Sequence, residues 1–99
     1  MAMQYQVREE DNITVITLSG SVDVNSVLEL RNVMQGLLKE GANILVDLSE
    51  VGFIDSSGLS VFTKAYQISQ DVGAQITLVN PQPPVRKVFQ LTGFEKVFN

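Results

Sequence analysis

A chain of 99 residues, 44% of them apolar, is sized for one packed domain and is too apolar to stay disordered. Its formal net charge is −4, and its seven basic residues form no stripe, which argues against nucleic-acid binding. Cysteine and histidine are both absent, which removes disulfide frameworks, the commonest zinc ligands, the Ser-His-Asp triad and the Cys-His dyad. No apolar run reaches the length of a membrane span. The amino end, Met1-Ala2-Met3-Gln4, shows no basic region followed by an apolar stretch, so no signal peptide is visible and the cytoplasm is the default location.

The chain reads as one domain over 1–99, without linker, repeat or low-complexity tract. Gln4 to Arg8 is a weak strand candidate, with Glu10-Asp11-Asn12 as a hairpin turn leading into the β-branched run Ile13 to Leu18. A loop is expected over Ser19 to Asn25. A first helix follows from about Ser26 to Lys39, with Val27, Leu30, Met34, Leu37 and Leu38 on its apolar face and Gly41 placed to stop it. Ile44 to Leu48 is nearly continuously apolar, which predicts a strand covered on both faces. Asp47 within it fits a capping or edge position better than a catalytic acid.

A second helix is predicted from Ser56 to about Val72, with Gly73 as its stop. Gln75 to Val79 is the next strand. Asn80-Pro81-Gln82-Pro83-Pro84 is a rigid turn, and Pro84 suits the first position of a short helix whose apolar stripe is Val85, Val88 and Phe89. Gly93 ends it, and Phe94 to Phe98 would form a last short strand. Two strands followed by helix–strand–helix–strand–helix predict an α/β sandwich: a mixed sheet of four to five strands with three helices packed on it.

The segment with chemical interest is Phe53-Ile54-Asp55-Ser56-Ser57-Gly58-Leu59, between a strand and a helix. Asp55 is a natural N-cap, and the free N–H groups and dipole of a helix start also favour an added phosphate. At about 100° per residue, with Ser56 at the origin, the apolar residues Leu59, Val61, Phe62, Ala65, Tyr66, Ile68 and Val72 centre near roughly 200°. Ser56 therefore points away from the core, beside Ser60, Thr63, Lys64 and Gln67. Ser57 falls on the flank, where its hydroxyl suits a local hydrogen bond. If one serine is offered to a partner, it is Ser56.

Asp55-Ser56-Ser57-Gly58-Leu59 after a strand, together with Gly20-Ser21-Val22-Asp23 at the end of an earlier one, resembles the STAS domain of bacterial anti-anti-sigma factors (anti-sigma factor antagonists). The resemblance runs along nearly the whole chain in element order, although family members commonly carry a further carboxy-terminal helix not present before Asn99. It implies a sheet with helices on one side and a regulatory protein, not an enzyme, with no catalytic residue, metal or cofactor of its own. The serine directly after the aspartate, Ser56, would be the phosphoacceptor. Asp23, Asp55, Ser56, Ser57, Gly58 and Leu59 would belong to the partner-binding surface.

By that resemblance the unphosphorylated form binds an anti-sigma factor with serine-kinase activity and frees the sigma factor, phosphorylation of Ser56 ends this, and a serine phosphatase restores the hydroxyl. The free protein would be a monomer or weak dimer, without nucleic acid or membrane. Two other readings use the same fold: a scaffold in a stress-signalling assembly, and an accessory subunit of a membrane transporter. Gly58 has two readings of its own, close approach of a partner backbone or service to the turn.

Overall fold

The structure, a computed structural model, describes residues 2–94. Its elements run β1 (Gln4–Glu10), β2 (Ile13–Val22), α1 (Val27–Lys39), β3 (Asn43–Ile54), α2 (Ser56–Val72), β4 (Ile76–Val79) and α3 (Pro83–Thr92). The four strands form one sheet in the order β1-β2-β3-β4, with β1 antiparallel to β2 and the other pairs parallel. The expected mixed sheet with three helices is thus present. Of the expected final strand, the part after Phe94 lies outside the described residues.

The hairpin closes through Asp11 and Asn12, both with positive φ (51° and 69°). Two successive left-handed residues give the turn whose twist matches its strands, and Asp and Asn tolerate that conformation better than other side chains. Glu10, expected in the turn, is the last residue of β1.

A single core joins alternate strand residues to all three helices. Ile16, Leu18 and Val22 of β2 and Ile44, Val46 and Leu48 of β3 meet Leu30, Met34 and Leu38 of α1, Phe62 and Ala65 of α2, and Val85 and Phe89 of α3. The intervening residues Thr17, Leu45 and Asp47 are only half-buried and stand outside this core. That corrects the expectation of a β3 covered on both faces. The helices contribute their apolar stripes to one side of the sheet, and Leu45 is shielded on the other only in part. Phe94 closes the α2/α3 end, with its ring centroid 5.0 Å from that of Phe89 and 6.5 Å from that of Phe62.

Two strands are longer than the sequence suggests. β2 continues through Ser19–Val22, where a loop is expected, and β3 continues from Leu48 to Ile54. The pairing advances from Thr17↔Asp47 to Ser19↔Glu50, and from Gly20↔Val51 to Ser21↔Phe53, so β3 carries an extra residue at each step. Such bulges break the period-2 pattern by which a strand is recognised. The first bulge is held by side chains: Asp47 Oδ1 accepts the Ser49 N–H at 3.0 Å, and Gln82 Nε2 donates to the Ser49 carbonyl at 2.6 Å. The Ser49 N–H is also the main reason the Asp47 carboxyl lies below its ordinary value. Asp47 is a bulge clamp. Extended in this way, β2 and β3 carry the chain to the same end of the sheet, where α1 and α2 begin.

α1 and α3 each start one residue off the expected positions. Ser26 is the N-cap of α1, although its hydroxyl does not cap the helix. Pro83 rather than Pro84 opens α3, with both prolines in the first turn where a missing N–H costs nothing. No helix among the described residues is long and apolar enough to cross a membrane.

Candidate functional site

The site is built where β3 runs directly into α2. Asp55 is the N-cap residue in extended conformation, and its Oδ1 accepts the backbone N–H groups of Ser57 (3.0 Å) and Gly58 (3.1 Å). These are two of the donors a helix start leaves unsatisfied. The Ser57 hydroxyl donates to the same oxygen, which is the local bond its flank position predicts. The carboxyl of Asp55 is held below its ordinary value of 3.8, first by the Ser57 hydroxyl, then by the Gly58 and Ser57 amides, with the Val24 amide contributing least and partial burial opposing. Asp55 therefore ties the start of α2 to the loop that follows β2.

Ser56 is exposed, as the helical wheel requires. Among the described residues its hydroxyl has no hydrogen-bond partner, while its carbonyl accepts the Ser60 hydroxyl at 3.0 Å. The adjacent carboxylate bonds Ser57 and Gly58 through Oδ1 and makes no bond to the Ser56 hydroxyl among the described residues, so it does not restrain that side chain. A free hydroxyl at a helix N-terminus, with the dipole favouring negative charge, is a geometry that accepts a phosphoryl group without unfolding anything.

The loop over residues 23–26 is pinned from within. Asp23 Oδ1 accepts the Asn25 N–H at 3.0 Å, and the Asp23 carbonyl accepts the N–H groups of Ser26 (3.0 Å) and Val27 (3.1 Å). Buried Ser26 accepts the Asp23 N–H at 3.0 Å through its hydroxyl, which also lies 3.1 Å from the Ser21 carbonyl it donates to. Asp23 thus makes a local Asx turn, and its half-exposed carboxylate caps no helix. Ser26 was not among the expected site residues, yet it organises the loop. Its position three residues after Asp23 was the available signal.

Gly58 is buried, and a Cβ there would lie 2.8 Å from both Ile54 Cγ1 and the Val22 carbonyl oxygen and 2.9 Å from Val22 Cγ1. The chain's own β2 and β3 fill the space, which accounts for the glycine from inside the fold. Leu59 is half-buried and packs against the core. Asp55, Ser56, Ser57, Gly58 and Leu59 are contiguous, and the Val24 amide near the Asp55 carboxylate brings the Asp23 loop to the same end of the molecule.

Replacing Asp55 by Ala is expected to cost about 1 kcal/mol, the typical loss of an N-cap. The pH dependence has a definite sign. A carboxyl whose folded pKa lies below its unfolded value adds stability above the unfolded value, and that stability is lost as the pH falls through the folded one. Chemical denaturation of the wild type and Asp55→Ala should therefore differ at pH 7 and converge in acid, as the pH falls through the lowered folded value. A gap that persists unchanged in acid would show that the cap acts without its charge.

Comparison with known proteins gives a consistent result. The model of the family described as STAS domain matches residues 4–99. The anti-sigma-B factor antagonist of Bacillus subtilis (strain 168) is 26% identical over 99 residues, covering 100% of this chain and 91% of that protein. The solved structure of the anti-sigma factor antagonist SpoIIAA in its unphosphorylated form superimposes with a TM-score of 0.81 at 27% identity, over 94% of this chain and 84% of that one. The Bacillus cell fate determinant SpoIIAA in the phosphorylated form gives 0.75 at 28% identity, over 94% and 86%.

Proposed function

This chain belongs to the STAS domain family, and from that membership we propose that it is an anti-sigma factor antagonist switched by phosphorylation of Ser56. In the unphosphorylated state it binds an anti-sigma factor with serine-kinase activity and so releases a sigma factor. The observation that carries the reading is the exposed, unpartnered Ser56 hydroxyl beside a carboxylate already committed to the helix start. That a relative of this fold exists in phosphorylated and unphosphorylated forms supports it. The partner-binding surface is Asp23, Asp55, Ser56, Ser57 and Leu59, with Gly58 beneath it.

The domain itself catalyses nothing. A chain without histidine or cysteine lacks the ordinary general bases and nucleophiles that work near pH 7. The transfer of phosphate to Ser56 is the partner's chemistry, with the partner's ATP and magnesium, and a separate serine phosphatase reverses it in the cytoplasm. Incubation with the anti-sigma factor of the same genome and ATP, followed by mass spectrometry, tests the assignment. Phosphate on Ser56 alone is expected, and phosphate on Ser57 with none on Ser56 would sink it.

Asp23→Ala separates recognition from folding. Among the described residues its carboxylate holds only the Asn25 amide, so the loss of stability should stay within roughly 0.5–1 kcal/mol. The rate of Ser56 phosphorylation should fall several-fold, because a half-exposed carboxylate at the interface steers and orients the partner. A lower melting temperature with an unchanged phosphorylation rate would return Asp23 to a purely local role.

A further inference from the structure

The end of the molecule around Ser56 also carries three exposed apolar side chains. Val24 is 70% exposed, Leu28 61% and Phe53 51%. Each is held outward by the fold. Val24 sits in the loop fixed by the Asp23 Asx turn and the Ser26 hydroxyl. Leu28 lies in the first turn of α1, opposite the inward face of Leu30, Met34 and Leu38.

Phe53 is the most telling of the three. Val51 is fully buried, so strict alternation would bury Phe53 as well. The extra residue that β3 carries between Val51 and Phe53 instead buries Ile54 and turns Phe53 to the surface. Bulges re-aim side chains in this way beside functional sites.

All three lie at the end of the sheet where Asp55 sits. Phe53 is two residues before Asp55, the Asp55 N–H reaches the Val22 carbonyl at 3.3 Å and so sets it beside the loop that holds Val24, and Leu28 is in the first turn of the helix after that loop. The other exposed apolar residues lie elsewhere. Tyr5 and Val7 are less exposed, at 37% and 44%, and sit two apart on the edge strand β1. Ile13 is at the opposite end of β2, Val72 is at the far end of α2, about 24 Å from Ser56 along a 17-residue helix, and Leu91 is in the last turn of α3. Several exposed apolar residues gathered at one end of a domain point to an interaction site, whereas single exposed residues need no explanation.

The surrounding charge is mostly acidic. From residue 9 to 30, and again from 40 to 63, the sequence contains no lysine or arginine. The acids nearest the trio along the chain are Asp23, Glu29, Glu50 and Asp55. Two cations approach this surface: Arg31, one turn along α1 from Leu28, and Lys64, two turns along α2 from Ser56, line the groove between α1 and α2 that also reaches Ser57. Among the described residues the one ion pair joins Arg8 and Glu10, so none of these acids is neutralised by a close cation.

We propose that Val24, Leu28 and Phe53 are the apolar anchors of the interface around Ser56, and that they fit a partner face that is apolar at its centre and basic at its rim. This rests on the antagonist reading and supplies its recognition chemistry: the occupant is the anti-sigma factor, bound by burial of the trio inside a ring of acid–base contacts. The loop is pinned and Phe53 is set by a bulge, so the anchors are preorganised and little ordering is lost on binding.

The test is calorimetry of the wild type and of Val24→Ser, Leu28→Ser, Phe53→Ser and Leu91→Ser, with the anti-sigma factor of the same genome as the probe, at low and high salt. Leu28→Ser and Phe53→Ser should each weaken binding about tenfold or more, as central anchors do. Leu91→Ser, which removes an equally exposed residue elsewhere, should leave affinity unchanged. Val24→Ser, Leu28→Ser and Leu91→Ser should melt close to the wild type, because those side chains are mostly exposed, and Phe53→Ser somewhat lower, because its ring is half-covered, so binding is compared at a temperature where every variant is folded. Affinity should fall as salt rises. Wild-type binding with undiminished affinity in the trio variants overturns the anchor surface and leaves the antagonist function standing. Absence of wild-type binding overturns that function and the surface with it. Affinity indifferent to salt overturns the basic rim. Sedimentation in which the trio variants lose only self-association would make a second copy the occupant and overturn the proposal.

Discussion

Phosphorylation of Ser56 should weaken binding to the anti-sigma factor about a hundredfold or more, a change of roughly 2.7 kcal/mol, while the melting temperature moves little. The asymmetry follows from where the serine stands. In the free domain its hydroxyl is exposed and unpartnered, so the phosphate remains hydrated. It also gains from the dipole at the start of α2, typically about 0.3–1 kcal/mol. On the reading proposed above, the same group in the complex would carry roughly −1.5 to −2 charges next to Asp55, against a partner surface that excludes water. A buried charge without a matched partner costs several kcal/mol. Ser56→Asp should act in the same direction and more weakly, because it adds one charge and lacks the three phosphate oxygens. Titration calorimetry measures the binding and a thermal melt the folding. Equal affinity of both forms would place Ser56 outside the interface. A large drop in melting temperature would mean that the phosphate acts by deforming α2, a different switch from the one argued from its exposure.

The parts of this arrangement legible in the sequence are those fixed by local chemistry. The outward direction of Ser56 follows from the spacing of Val61, Phe62 and Ala65, which are buried. The cap at Asp55 follows from the need of a helix start for acceptors, and the Ser57 bond from its flank position. Ser69, which the apolar pattern passes over, is fully buried, with its hydroxyl donating to the Tyr66 carbonyl at 2.6 Å. What stayed hidden depends on partners distant in the chain. The second half of β3 is a strand only because β2 pairs with it through two bulges, and Ser49-Glu50 and Gly52-Phe53 do not show the alternation of a strand. The outward turn of Phe53 is hidden for the same reason. The role of Ser26 requires the Ser21 carbonyl to be brought beside it by the end of β2. Gly58 is the extreme case. Nothing near it in sequence says that Val22 and Ile54 occupy the place of its missing side chain.

Gly58→Ala should therefore destabilise the domain by about 1–3 kcal/mol, the usual range for an extra methyl forced into a filled core. For a domain of this length that is a fall in melting temperature of several to about 20 °C. The helical position would otherwise favour alanine, by roughly 1 kcal/mol, so the sign of the result decides which effect wins. The contacts favour strain. Ile54 Cγ1 at 2.8 Å belongs to a buried side chain with little room to turn, and the Val22 carbonyl oxygen at 2.8 Å is backbone that cannot rotate away. That carbonyl also accepts the Asp55 N–H at 3.3 Å, so displacing it pulls on the residue that caps α2. Relief comes only by lifting the first turn of α2 off β2 and β3, which moves Ser56 with it. Phosphorylation of Gly58→Ala should accordingly slow even at temperatures where the protein is fully folded. Denaturant unfolding and a kinase assay on the same preparation separate the two effects. A variant as stable as the wild type, or more stable, would mean that α2 sits loosely enough on the sheet to absorb a methyl group. The close fit that sets the position of Ser56 would then have no energetic weight.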